Sequence, residues 1–113
     1  MAGYVLYHYN IVDRSRVDEL GPKSLPIVEK YGGELIVASP VKTLIGSTSY
    51  AGMVVYKFDS FEAALEFFHS PEMADLAKFR DQVIEGFATV IPGHSETDRV
   101  VKSGYFTNVS TTP

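Results

Sequence analysis

Tyr7, His8, Tyr9 and Asn10 stand side by side near the start of the chain, with Tyr4 three residues upstream. Four rings and an amide thus fall within one short, otherwise apolar run. An imidazole gains and loses a proton near neutral pH, which suits it to act as acid or base beside an enolisable carbonyl. Tyrosine hydroxyls donate to a carbonyl or phenolate oxygen while their rings hold a flat ligand. Far downstream, Arg80 lies beside an apolar helical stripe. Its guanidinium suits a carboxylate or an oxyanion, with a surface pair to Glu66, Glu72 or Glu85 as the plainer use. Together these residues describe a catalytic set in which His8 moves the proton, Tyr7 or Tyr9 donates to oxygen and Arg80 holds an anionic group. The plainer alternative makes the tyrosines core rings and His8 a hydrogen-bonded group paired with Asn10. Histidines 8, 69 and 94 have no paired spacing, so no metal site is expected. No Gly-x-Gly-x-x-Gly, P-loop or Gly-x-Ser-x-Gly motif occurs, and cysteine is absent, so no cofactor and no thiol chemistry are expected.

The elements that position these residues follow from periodicity. Gly3 to Val12 reads as a strand with apolar residues on both faces, hence covered on both sides. From Arg14 to Tyr31 the steps Val17, Leu20, Ser24/Leu25, Val28 and Tyr31 are helical. Pro22 and Pro26 predict a break in that helix, and Gly32-Gly33 its left-handed end. Glu34 to Ser39 is a second strand, continuing brokenly past Pro40 to Ile45, and Gly52 to Phe58 a third. Asp59 and Glu62 form a candidate capping box before Phe61, Ala64, Leu65 and Phe68. Ser70-Pro71 restarts a helix with the stripe Met73, Leu76, Phe79 or Arg80, Val83 and Phe87. His69 stands at the C-terminus just before that restart, where a protonated imidazole is favoured. Phe87 to Ile91 is the fourth strand, ended by Pro92-Gly93. The order is βαββαβ, the ferredoxin-like α+β arrangement with an antiparallel sheet and helices on one face. The domain spans 1–93, and 94–113 form a polar tail or a dimer-embracing arm with a possible strand at Tyr105–Val109. A sheet apolar on both sides needs a second cover, and a two-fold related copy of the same sheet supplies it. With 113 residues and a net charge of −4, the chain is one acidic domain without the footprint that nucleic acid or an anionic membrane requires. Its longest uncharged stretch, Thr43 to Tyr56, is too polar to span a bilayer, and a cytoplasmic location is expected.

Three blocks carry a family resemblance: Pro26 to Gly33 (Pro-Ile-Val-Glu-Lys-Tyr-Gly-Gly), Val54 to Ala64 (Val-Val-Tyr-Lys-Phe-Asp-Ser-Phe-Glu-Ala-Ala), and Ser70-Pro71-Glu72-Met73 with Arg80 downstream. Over residues 3 to about 93 the chain resembles the domain-of-unknown-function family 1330, a branch of the dimeric α/β-barrel superfamily. That resemblance implies a homodimer with sheets packed face to face. It also implies that Val5, Tyr7, Tyr9 and Ile11 face the helices, while Tyr4, Leu6, His8 and Asn10 face the dimer seam. The pocket would lie between sheet and helices, with Tyr56, Phe67, His69 and Phe79 as substrate-binding candidates and Phe58, Phe68 and Phe87 nearby. Ser39-Pro40 and Ile45-Gly46 stand where members commonly carry Arg-Gly and Glu-Gly. Alignment with the superfamily's plant polyketide cyclase puts the catalytic tyrosine and histidine of that enzyme at Phe67 and Met73, which move no proton.

The resulting expectation is a small cofactor-independent enzyme performing proton-transfer chemistry, such as isomerisation, cyclisation or elimination, on an aromatic or polyketide-like carbonyl compound. The alternatives are a non-catalytic dimer that binds a small apolar or aromatic ligand, and a cofactor-free monooxygenase.

Overall fold

A computed structural model of the chain describes residues 2–47 and 50–93. Four strands alternate with helices: β1 (Gly3–Ile11), α1 (Leu20–Lys30), β2 (Glu34–Pro40), β3 (Gly52–Phe58), α2 (Phe61–Phe68), α3 (Pro71–Val83) and β4 (Ile84–Pro92). A 3₁₀ turn at Val17–Glu19 leads into α1. The sheet order is β2-β3-β1-β4 and every pairing is antiparallel. This is the ferredoxin-like α+β fold. The candidate tail, including Tyr105–Val109, lies outside the described residues.

β1 is an inner strand, paired along its length with β3 and β4. Period two sends Val5 and Tyr7 into the core with their cross-strand neighbours Tyr56, Val54, Val90 and Ala88. Phe58 and Phe67, fully buried, fill the space between sheet and helices. Each contributes about 1.5–3 kcal/mol of burial. Leu6, His8, Met53, Val55, Phe87 and Ile91 share the other face by register.

Several boundaries differ from the periodicity reading. α1 runs through Pro26 without a break. Pro22 sits in the first turn, where its missing N–H needs no partner, and Pro26 forfeits a single bond to the Pro22 carbonyl. The helix ends as expected at the glycines. Gly32 adopts φ +78° and the Gly33 N–H donates to the Val28 carbonyl at 2.9 Å, a Schellman closure. At α2 the cap is Ser60, whose hydroxyl accepts the Ala63 N–H at 3.0 Å, not Asp59. The one-residue shift takes Glu62 out of the position a capping box needs. Ser70 caps α3 with Pro71 in its first turn, as the sequence indicates. α3 stops at Val83 and β4 starts at Ile84, so Phe87 belongs to the strand and not to the helical stripe. β2 ends at Pro40; beyond it the Val41 N–H donates to the Ala51 carbonyl at 3.0 Å. A bulge between Leu35 and Val37 shifts its register against β3.

Candidate functional site

Between the sheet and helices α1 and α3 lies a cavity of about 190 Å³. The floor is Tyr7 and Tyr9 of β1, Val54 and Tyr56 of β3, and Leu35 and Ala38 of β2. The roof is Leu20, Ser24 and Leu25 of α1 with Met73, Leu76 and Arg80 of α3. Its polar groups are therefore three tyrosine hydroxyls, one serine and one guanidinium. No carboxylate or imidazole lines it among the described residues.

The three tyrosines are held differently. Tyr9 takes its seat because β3 carries a glycine opposite: a Cβ on Gly52 would come within 2.6 Å of the Tyr9 ring. Tyr56 packs edge-on against Phe67 at 5.7 Å and Tyr7 at 6.1 Å, and its hydroxyl lies 3.4 Å from the buried Ser24 Oγ. Burial pushes the Tyr56 hydroxyl pKa up, with Ser24 acting the other way. Tyr7 is over nine-tenths buried; its O–H finds no acceptor among the described residues, while the Arg80 guanidinium lies close enough to act on the phenol oxygen as a donor. Burial pushes its pKa up to about 12, against the pull of the Arg80 guanidinium, whose carbon lies 5.8 Å from the ring centre. A buried donor left unmet ordinarily costs about 1–3 kcal/mol, so it is conspicuous in a well-packed core. The Arg80 Nε donates to Asp81 Oδ1 at 3.3 Å, and not to Glu66, Glu72 or Glu85. Glu72 is held by Lys30 and by the Tyr31 hydroxyl at 2.9 Å. The Lys30 contact, then Glu72's own backbone N–H and then the Tyr31 bond, keep the Glu72 carboxyl down at about 2.

A second, more open hollow of about 400 Å³ adjoins the first and shares Tyr7, Tyr9, Arg80 and Ile84 with it. Its remaining wall includes Phe68, Asp81 and residues 85–88 of β4.

Of the residues singled out by sequence, Tyr7, Tyr9, Tyr56 and Arg80 converge on the cavity. His8 does not join them there. Its ring stacks on Phe87 at 4.8 Å, and the residue contributes to the wall of the second hollow instead. Asn10 accepts the Ala51 N–H at 2.9 Å. Phe67 is core and supports Tyr56 from behind. His69 is exposed beyond α2, edge-on to Phe68. Phe79 lies outside the cavity under Lys23 and Arg16, 5.1 and 5.8 Å from their charged ends. Ser24, Met73 and Asp81 are site neighbours that chemistry-led reading passed over. A serine at a core position of the α1 stripe was the available signal.

Comparison with known proteins gives a family and a fold. Residues 2–94 match the family model described as a domain of unknown function, DUF1330. No curated protein matches the chain. Among solved structures, the RPA0582 protein of unknown function from Rhodopseudomonas palustris is 17% identical with a TM-score of 0.65, each chain covered over 83%. The At3g17210 protein of Arabidopsis thaliana is 16% identical with a TM-score of 0.60, covering 84% of this chain and 95% of that one. A DABB-family protein with a ferredoxin-like fold from Mesorhizobium loti is 10% identical with a TM-score of 0.50, covering 83% and 98%. At these identities the likeness shows the fold alone.

Proposed function

We propose, given that this chain belongs to the DUF1330 family, that it is a small-molecule-binding domain whose sheet–helix cavity holds a flat apolar compound bearing one anionic or oxyanionic group. The observation that carries this reading is the buried Tyr7 hydroxyl, without an acceptor among the described residues, beside Arg80 in an otherwise apolar chamber. A ligand oxygen between them accepts from the phenol and pairs with the guanidinium. Size sets the ligand class. An apolar cavity of about 150 Å³ admits a benzene ring, so 190 Å³ suits a single ring with a small substituent.

Binding without turnover is favoured over proton transfer because the cavity wall offers donors and no base that works near neutral pH. With His8 on the opposite face, its service belongs to the sheet surface. There Leu6, Met53, Phe87 and Ile91 form an apolar field that a second copy of the chain covers, with the His8–Phe87 stack in the seam. Among the described residues no helix is long and apolar enough to cross a membrane.

The test is calorimetric titration with benzoate, phenol and toluene, repeated on Tyr7→Phe and Arg80→Met. Benzoate is expected to bind and toluene to bind more weakly. Each substitution is expected to cost about 10- to 100-fold in benzoate affinity, as hydrogen bonds to charged groups do. Unchanged benzoate affinity in both variants overturns the reading.

A further inference from the structure

The cavity and the outer hollow share Tyr7, Tyr9 and Arg80, so they form two compartments of one chamber with Arg80 at the partition. Their chemistry is unlike. The inner compartment is apolar and carries no carboxylate; the outer one carries Asp81 and Glu85 in its wall. Tyr7, whose buried hydroxyl lacks an acceptor among the described residues, lines both. The shared boundary thus carries a cation and a phenol, and the outer wall beyond it carries Asp81 and Glu85 together with His8.

We infer that the chamber takes a zwitterion of the aromatic amino-acid type: ring in the inner compartment, carboxylate on Arg80 and Tyr7, ammonium toward Asp81 and Glu85. The inference rests on the binding function proposed above and deepens it by naming a second charged group on the ligand. The spacing argument is local. Arg80 and Asp81 are consecutive and already in contact through Nε at 3.3 Å. A ligand that bridges them must therefore carry its own opposite charges a few bonds apart, as an α-amino acid does. The guanidinium grips a carboxylate as a planar fork. Asp81, with its side chain 72% exposed, offers the ammonium a solvent-screened partner, so its share of the affinity is modest.

The probes are L-phenylalanine, 3-phenylpropionate, which lacks the ammonium, and 2-phenylethylamine, which lacks the carboxylate. Each is titrated into the full chain and into Asp81→Asn. L-Phenylalanine is expected to bind about 3- to 10-fold more tightly than either single-charge analogue at low salt. Asp81→Asn is expected to remove most of that advantage and, because it releases the Arg80 Nε, to leave 3-phenylpropionate binding no weaker than before. A Glu85→Gln variant serves as the second probe of the same wall. If 3-phenylpropionate binds as tightly as L-phenylalanine, and Arg80→Met abolishes both, the zwitterion inference is overturned while the binding function stands. If neither acid binds, nor benzoate, both are overturned.

Discussion

Replacing Tyr7 by phenylalanine pits stability against binding in one variant. The ring would stay where it is, between Tyr56 at 6.1 Å, Phe68 at 6.4 Å and the Arg80 guanidinium. Only the hydroxyl is lost; it makes no well-formed hydrogen bond, and the Arg80 guanidinium beside it keeps Asp81. A buried polar group without a hydrogen bond costs about 1–3 kcal/mol. Because this one borders a cavity, the low end applies: Tyr7→Phe is expected to stabilise the ligand-free protein by about 1 kcal/mol. The assay is urea unfolding followed by far-UV circular dichroism, with a higher midpoint and an unchanged slope expected. Alkaline pH amplifies the effect. With its folded pKa raised to about 12 from an ordinary 10, the phenol contributes stability that is fully present below pH 10 and lost as pH rises toward 12. Two pKa units correspond to roughly 2–3 kcal/mol, so the gap between variant and wild type is expected to widen by about 2 kcal/mol by pH 12. A lower midpoint for Tyr7→Phe at pH 7 would show that the hydroxyl is satisfied and refute the argument. A gap independent of pH would refute the burial of its charge. In benzoate titrations the same variant moves the opposite way.

Ser60→Ala is expected to cost about 1 kcal/mol by urea unfolding, whereas Asp59→Ala stays within about 0.5 kcal/mol, because the cap is the serine. Glu72 is held at about 2, so its tie to Lys30 and Tyr31 is present above the ordinary value near 4.5 and lost as pH falls from there toward 2. Glu72→Gln is therefore expected to flatten the acid limb of the stability profile; an unaltered limb in thermal melts from pH 5 to 2 would exclude it. Phe87, 48% exposed on the helix-free sheet face, is placed to matter for association. Wild type is expected to sediment at twice the chain mass at micromolar concentration and Phe87→Asp at the chain mass; monomeric wild type would remove the face-to-face dimer.

Legibility followed the strength of local signals. β3 was readable to the residue, because Gly52 and Asp59 punctuate a run that is apolar but for Lys57. The opposed faces of β1 follow from period two, so the separation of His8 from Tyr7 and Tyr9 was in principle visible. Where neighbours suit one position about equally, sequence favours Asp59 as the cap of α2 and leaves Phe79 or Arg80 open in the α3 stripe. Asp59 and Ser60 are both good caps, and Phe79 and Arg80 both fit the edge of the α3 stripe. Tertiary packing decided, giving the cavity Arg80 and leaving Phe79 under basic side chains. Phe87 falls four residues after Val83, a spacing compatible with one more helical turn, yet pairing with His8 draws it into the sheet. The contact between Arg80 and Asp81 joins sequence neighbours that a helical projection places on different faces, so periodicity alone gave no reason to seek it.

The tie that joins Lys30 and Tyr31 to Glu72 also has a mechanical side. It pins the last turn of α1 to the first turn of α3. At the other end of the pair, the Val12 and Asp13 N–H groups both donate to the Val83 carbonyl, at 2.8 and 3.2 Å, and Arg16 reaches Gln82 at 3.1 Å. The α1–α3 pair is therefore tied at both ends, with Leu20, Ser24 and Leu25 over the cavity between the ties. Amide exchange is therefore expected to be slowed at both ends of the helix pair and not at one end alone.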